Sequence, residues 1–262
     1  QTFIDAKNYG SILQPEKVDF DKYLRKIEQL HQSGEHTLET FEVYEQLDKI
    51  KQLIKQAKLL ASQYDVVVTN PPYMGAKGMN KNLSNYLKKH YKDTKSDLFA
   101  VFMERMESLT KDYHVSVTMQ SWMFLSSFEK YRKHLINSYS IQTMVHMANM
   151  VMGIAFGTAA TVFRKNIYGM KGVYQYVSLE DLENGVPKEF PVRNDRFAIV
   201  GTHHFNDIPG SPIAYWASPK VREIFKKYPL LEEIAEPRVG LQTGDNNRFL
   251  RLWHEVTYQK IG

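Results

Sequence analysis

Apolar residues along this chain recur with two different periods. Between residues 16 and 62 the spacing is helical. Val18, Phe20, Tyr23, Leu24, Ile27 and Leu30 form one stripe; Leu38, Phe41, Val43, Tyr44, Leu47, Ile50, Ile54, Ala57 and Leu60 form a second. Ser33, Gly34 and Glu35 separate them. The pattern predicts two amphipathic helices, over 16–33 and 38–62, paired as an antiparallel hairpin with charged faces in solvent. Downstream the pattern alternates between strand-like and helix-like runs. Strands are predicted at 65–69, 114–119, 141–147 and 159–164, and helices at 83–91, 96–111 and 126–138, with Ser96 as an N-cap. Phe99, Phe102 and Met103 are expected in the core. Residues 3–13 read as the end of one more strand and a turn at Gly10. Strands alternating with helices are the mark of a layered α/β domain.

The run Tyr64-Asp-Val-Val-Val-Thr-Asn-Pro-Pro-Tyr73 changes the picture from fold to chemistry. Three β-branched residues in a row predict a fully buried parallel strand. Two prolines then stop it, since neither can donate to a ladder, and Pro71 holds Asn70 extended. The expected product is a rigid loop at the carboxyl end of an open α/β sheet, where such sheets bind ligands. Asn70 offers an amide oxygen, Pro71 a carbonyl and Tyr73 a flat ring. Two acceptors beside a stacking face suit a planar group with an exocyclic amine.

Asn70-Pro71-Pro72-Tyr73 after an apolar strand resembles the catalytic motif of S-adenosylmethionine-dependent amino-methyltransferases. Three further stretches narrow the resemblance: Lys-Ser-Asp-Leu-Phe-Ala (95–100), Met-Gln-Ser-Trp-Met-Phe-Leu-Ser-Ser (119–127) and Gly-Leu-Gln-Thr-Gly-Asp-Asn-Asn-Arg-Phe (240–249). Together they are similar to adenine-specific DNA methyltransferases of the BREX phage-exclusion (PglX) type, which are related to type IIG restriction–modification methyltransferases. The resemblance covers most of residues 1–10 and 64–260. It implies a partial Rossmann-like methyltransferase core over 1–167, with a helical insertion at 16–62. An α+β segment over 168–262 would follow, leading into a target-recognition region.

The resemblance also implies roles. Asn70, Pro71, Pro72 and Tyr73 would be catalytic, with Tyr73 stacking on a flipped adenine and Phe156 covering its other face. Asp5 would accept a hydrogen bond from the adenine of the cofactor, S-adenosylmethionine, and Asn70 would also border that cofactor. Asn246, Asn247, Arg248 and Arg251 would contact DNA. Double-stranded DNA is the implied partner, with other phage-defence proteins beyond it. Structural alternatives stand beside each role: Asp5 as a turn cap, Phe156 as a core or turn residue, the 240–249 loop as an ordinary turn. Different function classes stay open as well. One is a non-catalytic DNA-binding or assembly module in phage defence; another is methylation of RNA or of a protein glutamine.

Composition adds bounds. Hydrophobic residues make up 43% and aromatics 13% of 262 residues, enough for a sizeable core. A net charge of +5 is compatible with a polyanionic partner but equally with a plain basic surface. No cysteine is present, so no disulfide or thiolate metal site exists. His203-His204 and His254 lack a ligand set, and no metal is expected. No apolar run nears the ~20 residues of a membrane span, and a cytoplasmic protein is expected. The chain opens Gln-Thr-Phe-Ile-Asp and contains no Gly-x-Gly. A methyltransferase needs a glycine-rich turn where backbone approaches the cofactor. The expectation is that this turn and the first strands precede residue 1, so that residues 1–262 alone are inactive.

Overall fold

Short polar side chains set the helix starts. Asn80 Oδ1 accepts the Leu83 N–H at 2.9 Å and opens Lys81–His90 (α4). Asp97 Oδ1 accepts the Phe99 N–H at 3.3 Å and opens Leu98–Leu109 (α5). The cap is therefore Asp97 and not the expected Ser96; a carboxylate at this position accepts from the first turn more strongly than a hydroxyl. Ser218, followed by Pro219, opens Pro219–Lys227 (α7) in the same way. The computed structural model describes residues 3–33, 41–165, 167, 169–236 and 244–260.

A mixed sheet of six strands organises the molecule. In chain order these are Tyr64–Thr69 (β1), Thr110–Met119 (β2), Tyr139–Met147 (β3), Thr158–Lys165 (β4), Lys171–Val177 (β5) and Ala198–Gly201 (β8), with Leu182–Glu183 (β6) and Val186–Pro187 (β7) forming a separate small ribbon. The spatial order is β1-β2-β4-β3-β5-β8. β1 and β2 are parallel, as are β3 and β5; β4 runs antiparallel between β2 and β3, and β8 antiparallel to β5. The sheet thus continues across residue 167, and the segment beyond it contributes a parallel strand. β1, β2, β3 and β5 all point the same way, so their carboxyl ends share one rim. The starts of β4 and β8 lie on that rim too, because Thr158 pairs with Met119 and Met147, and Ala198 with Tyr174.

Helix α5 and Glu129–Ser138 (α6) cover one face. Phe99, Met103, Tyr131, Leu135, Ile141, Met144 and Phe163 are buried there in one cluster with Phe205, Ile213 and Tyr215 from the later segment. Arg132 staples that segment down. Its guanidinium donates to the carbonyls of Ser211 (2.9 Å), Trp122 (2.8 Å) and Leu125 (2.9 Å). A second, smaller cluster joins α4 and α5 through Leu83, Leu87, Tyr91, Leu98 and Val101.

Two further expectations fail. Residues 3–5 form no strand: Asp5 sits in left-handed backbone (φ 59°) before a short helix, Ala6–Tyr9 (α1), and a 3-10 turn, Gly10–Ile12. With no neighbouring strand to pair with, the segment curls against α4, where Asn80 Nδ2 donates to Asn8 Oδ1 at 3.0 Å. Nor is β1 fully buried. It is an edge strand covered by α5 on one face alone, so Val66 and Val68 remain 55% and 69% exposed. The predicted hairpin is Phe20–Ser33 (α2) and Phe41–Ala61 (α3), tied by Lys58–Asp21 (2.6 Å) and Lys51–Glu28 (3.2 Å). Its connecting turn and the expected start at 38 lie outside the described residues. The short Leu231–Ile234 (α8) and Asn246–Phe249 (α9) follow, with 3-10 turns at Trp253–Glu255 and Tyr258–Lys260 after them.

Candidate active site

The loop after β1 is fixed from below by one carboxylate. Asp97 Oδ1 accepts the Met74 N–H at 3.0 Å, and the Leu98 N–H returns to the Met74 carbonyl at 3.0 Å. Partial burial raises the Asp97 pKa, opposed by these backbone donors. The stretch 95–100 was legible as family-like, but this role was not, since it depends on a contact 23 residues back along the chain.

On that support, Asn70 is exposed, Pro71 buried, Pro72 exposed and Tyr73 half-buried. The Tyr73 hydroxyl donates to the Val117 carbonyl of β2 at 3.0 Å and lies 3.4 Å from Asn70 Oδ1. A hydroxyl has one proton, and the shorter, better contact takes it, so the Asn70 oxygen keeps its accepting capacity. Burial raises the Tyr73 pKa, which keeps the phenol protonated. The Tyr73 ring meets Phe99 edge-on at 6.4 Å and Phe156 at 5.7 Å with 71° between planes. Tyr73 and Phe156, far apart in sequence, are thus brought together. A base between them needs two stacking spacings, and 5.7 Å spans one; the rings must part before a base can enter.

Phe156 reaches Tyr73 because its loop is anchored at the strand ends. The Gln120 N–H bonds the Gly157 carbonyl at 2.9 Å, and a Cβ on Gly157 would stand 2.5 Å from the Gln120 side-chain amide, so a larger residue there would displace that side chain. Gln120 in turn contacts His146 Nε2, whose Nδ1 is 3.0 Å from the Tyr215 hydroxyl. Burial and the nearby Arg196 charge lower the His146 pKa to about 4. A neutral imidazole donates from one nitrogen and accepts at the other. The Gln120 oxygen accepts, so the proton is on Nε2, and Tyr215 donates to Nδ1. No local residue pattern signals this chain of contacts.

Residues 7–151 match the Eco57I restriction-modification methylase family. The chain belongs to that family. Among curated proteins, the adenine-specific methyltransferase PglX of Lacticaseibacillus casei (strain Zhang) is 37% identical over 98% of this chain and 22% of its own length. The adenine-specific methyltransferase BrxX of Escherichia coli O9:H4 (strain HS) is 37% identical over 97% of this chain and 21% of its own. The chain therefore spans about a fifth of these relatives. Among solved structures, a type I restriction-modification methyltransferase subunit from Streptococcus thermophilus aligns with 56% of this chain and 36% of its own, at 14% identity and a TM-score of 0.40.

Within this family member the remaining expected residues are dispersed. Asp5 is exposed and its carboxylate accepts from Asn82 Nδ2 at 3.3 Å, near the start of α4. Residues 240–243 of the expected DNA-contacting stretch lie outside the described residues. Asp245 caps α9 by accepting the Arg248 N–H at 3.1 Å, and Arg251 donates to the carbonyls of Asn247 and Leu250. These contacts stay within the 245–251 segment and do not reach the rim around Tyr73. Among the described residues no helix is long and apolar enough to cross a membrane.

Proposed function

We propose that the protein containing this chain transfers a methyl group from S-adenosylmethionine to the exocyclic N6 of adenine in double-stranded DNA, as part of phage defence or restriction–modification. The observation that carries this reading is the Asn70–Tyr73 loop: an exposed amide oxygen at a strand end, with the rings of Tyr73 and Phe156 beside it. The substrate argues for action in the cytoplasm. The division at residue 167 then separates catalytic from target-reading parts of the chain, even though one sheet spans both.

Adenine N6 is a weak nucleophile because its lone pair is delocalised into the ring. Asn70 Oδ1 and the Pro71 carbonyl each accept one of its N–H groups, which favours a localised lone pair as the new bond forms. The target atom is out of reach within a duplex, so the base must leave the stack at a cost of a few kcal/mol. Stacking on Tyr73 and Phe156 offsets part of this, at roughly 1–3 kcal/mol per base. Asn70 at the strand end would border the cofactor, and Asp5, which bonds Asn82 near the start of α4, is assigned to it on resemblance alone. A glycine-rich turn would have to come from elsewhere in the protein. When bound, the cofactor supplies an electrophilic methyl group; this chain orients the amine.

The test is Asn70→Ala in the full-length protein, with methylated adenine quantified in DNA and a protein-glutamine substrate assayed in parallel. Loss of adenine methylation with an intact fold supports the proposal. Retained activity removes Asn70 from the mechanism, and methylation of the protein substrate alone removes DNA.

A further inference from the structure

We propose that Arg196 is a clamp for one backbone phosphate of the nucleic-acid strand whose base is presented to Tyr73. The inference deepens the function proposed above and rests on it. Arg196 lies just before β8, on the rim that carries Asn70, Gln120 and Phe156. Its guanidinium sits over the Tyr176 ring at 4.0 Å and over the Trp216 ring at 4.4 Å. Among the described residues it forms no ion pair, although Glu180, Asp181 and Asp195 line the same cavity of about 650 Å³. One oxygen of Asp181, Oδ2, accepts the Ser178 N–H and O–H, both at 2.8 Å, and an Asn194 amide N–H at 3.3 Å, which holds that carboxylate against its own turn. Glu180 and Asp195 stand toward solvent, where water and salt screen them.

Held against rings rather than by a carboxylate, the guanidinium keeps its in-plane N–H edge for a ligand. That planar fork matches a phosphate in bidentate fashion. Rings hold the side chain in place without neutralising it. Gln120 lines the same cavity and bonds Gly157, whose neighbour Phe156 touches Tyr73, so the cavity adjoins the base site. A strand with its base at Tyr73 would run its flanking phosphodiesters along this rim. Phosphate contacts of this kind fix register and carry no sequence information.

The test compares full-length wild type, Arg196→Gln, Arg196→Lys and Asn70→Ala for binding to duplex DNA, using a duplex with a mapped methylation site, or random-sequence duplex if no site maps. Affinity is measured against salt concentration. One lost phosphate contact lowers the magnitude of the log–log slope by about 0.9 on duplex and about 0.7 on a single strand. Arg196→Gln is expected to show that loss, Arg196→Lys to keep the slope, and Asn70→Ala to keep the slope while losing methylation. Replacing phosphates one at a time by methylphosphonate should weaken wild type at one position and leave Arg196→Gln indifferent there. An unchanged slope in Arg196→Gln overturns the clamp even if the protein methylates DNA. Relaxed site preference at constant slope overturns it in favour of base reading. No binding by any variant overturns both proposals. A changed slope without methylation by wild type leaves the clamp standing and sinks the enzyme reading alone.

Discussion

At β3 and β4 the sheet buries Ile141, Met144, Ala159 and Phe163 completely, while at β1, two strands from β4, Val66 and Val68 stand mostly in solvent. The interior strands have partners on both edges and α5, α6 and the 202–216 segment over one face. β1 has one partner and part of one helix. Yet the loop that carries the candidate chemistry hangs from β1. Its position is held by hydrogen bonds, Asp97 to Met74 and Tyr73 to Val117, more than by apolar burial. Stability and chemistry are thus drawn from different regions and different forces, and substitutions should separate them.

The largest effect is expected in the interior. Phe163 is fully buried, nearly parallel to His114 at 4.5 Å and near Trp122 at 5.8 Å. Phe163→Ala should cost about 3–5 kcal/mol of unfolding free energy in denaturant titration. A loss below about 1 kcal/mol would mean that this region is not the stabilising half.

Acid should act on the same region. Burial lowers the pKa of His114 to about 3, and burial with the Arg196 charge lowers that of His146 to about 4. Unfolded histidines titrate near 6.5. Between those values the unfolded chain binds protons that the folded chain refuses, so stability is complete above about pH 6.5 and falls as the pH drops toward 4. With a tenfold change in proton affinity worth about 1.4 kcal/mol, the two histidines together account for several kcal/mol of acid sensitivity. Among the described residues neither buried His114 nitrogen has a hydrogen-bond partner. His114→Phe should therefore flatten part of the acid slope without loss at pH 7, read from urea midpoints across that range. An unaltered slope would take His114 out of the account.

At the β1 loop the effects should be on rate. Asn70→Ala is expected to lower kcat of the full-length protein by about 10²–10³, the scale for one preorganised polar group, while the melting temperature stays put because Asn70 is exposed. Asp97→Ala should do both, costing about 0.5–2 kcal/mol as a lost cap and slowing catalysis through the freed Met74 backbone. A kcat effect without a stability effect would show that Asp97 acts only on the loop.

The same division explains what could be foreseen from residues alone. β1, its proline stop and the helical stripes of α2 and α3 are local patterns, and their boundaries came within a few residues. Tyr73 and Phe156 were paired only through resemblance, since no local signal links positions so far apart. The contacts among Tyr215, His146 and Gln120 have no local signal, because they join the 202–216 segment to two strand ends; the sequence marks Gln120 only as part of the 119–127 resemblance. Arg196 was hidden for the same reason. β1 is more exposed than its sequence predicts because three β-branched residues specify a strand but say nothing about which edges and faces find partners.

The smallest predicted effect sharpens the comparison most. Val68→Thr in this chain places a hydroxyl where the side chain is already 69% exposed, so water satisfies it and the change in stability should stay within about 0.5 kcal/mol. The chain spans about a fifth of its curated relatives, and a protein of their length would offer far more surface to cover this strand. If another element packs on β1 there, the same hydroxyl is buried without a partner and should cost about 1–3 kcal/mol, readable as a lower denaturant midpoint. Equal, small losses in both settings would mean that β1 stays bare in the whole protein, and that its loop works at an open sheet edge.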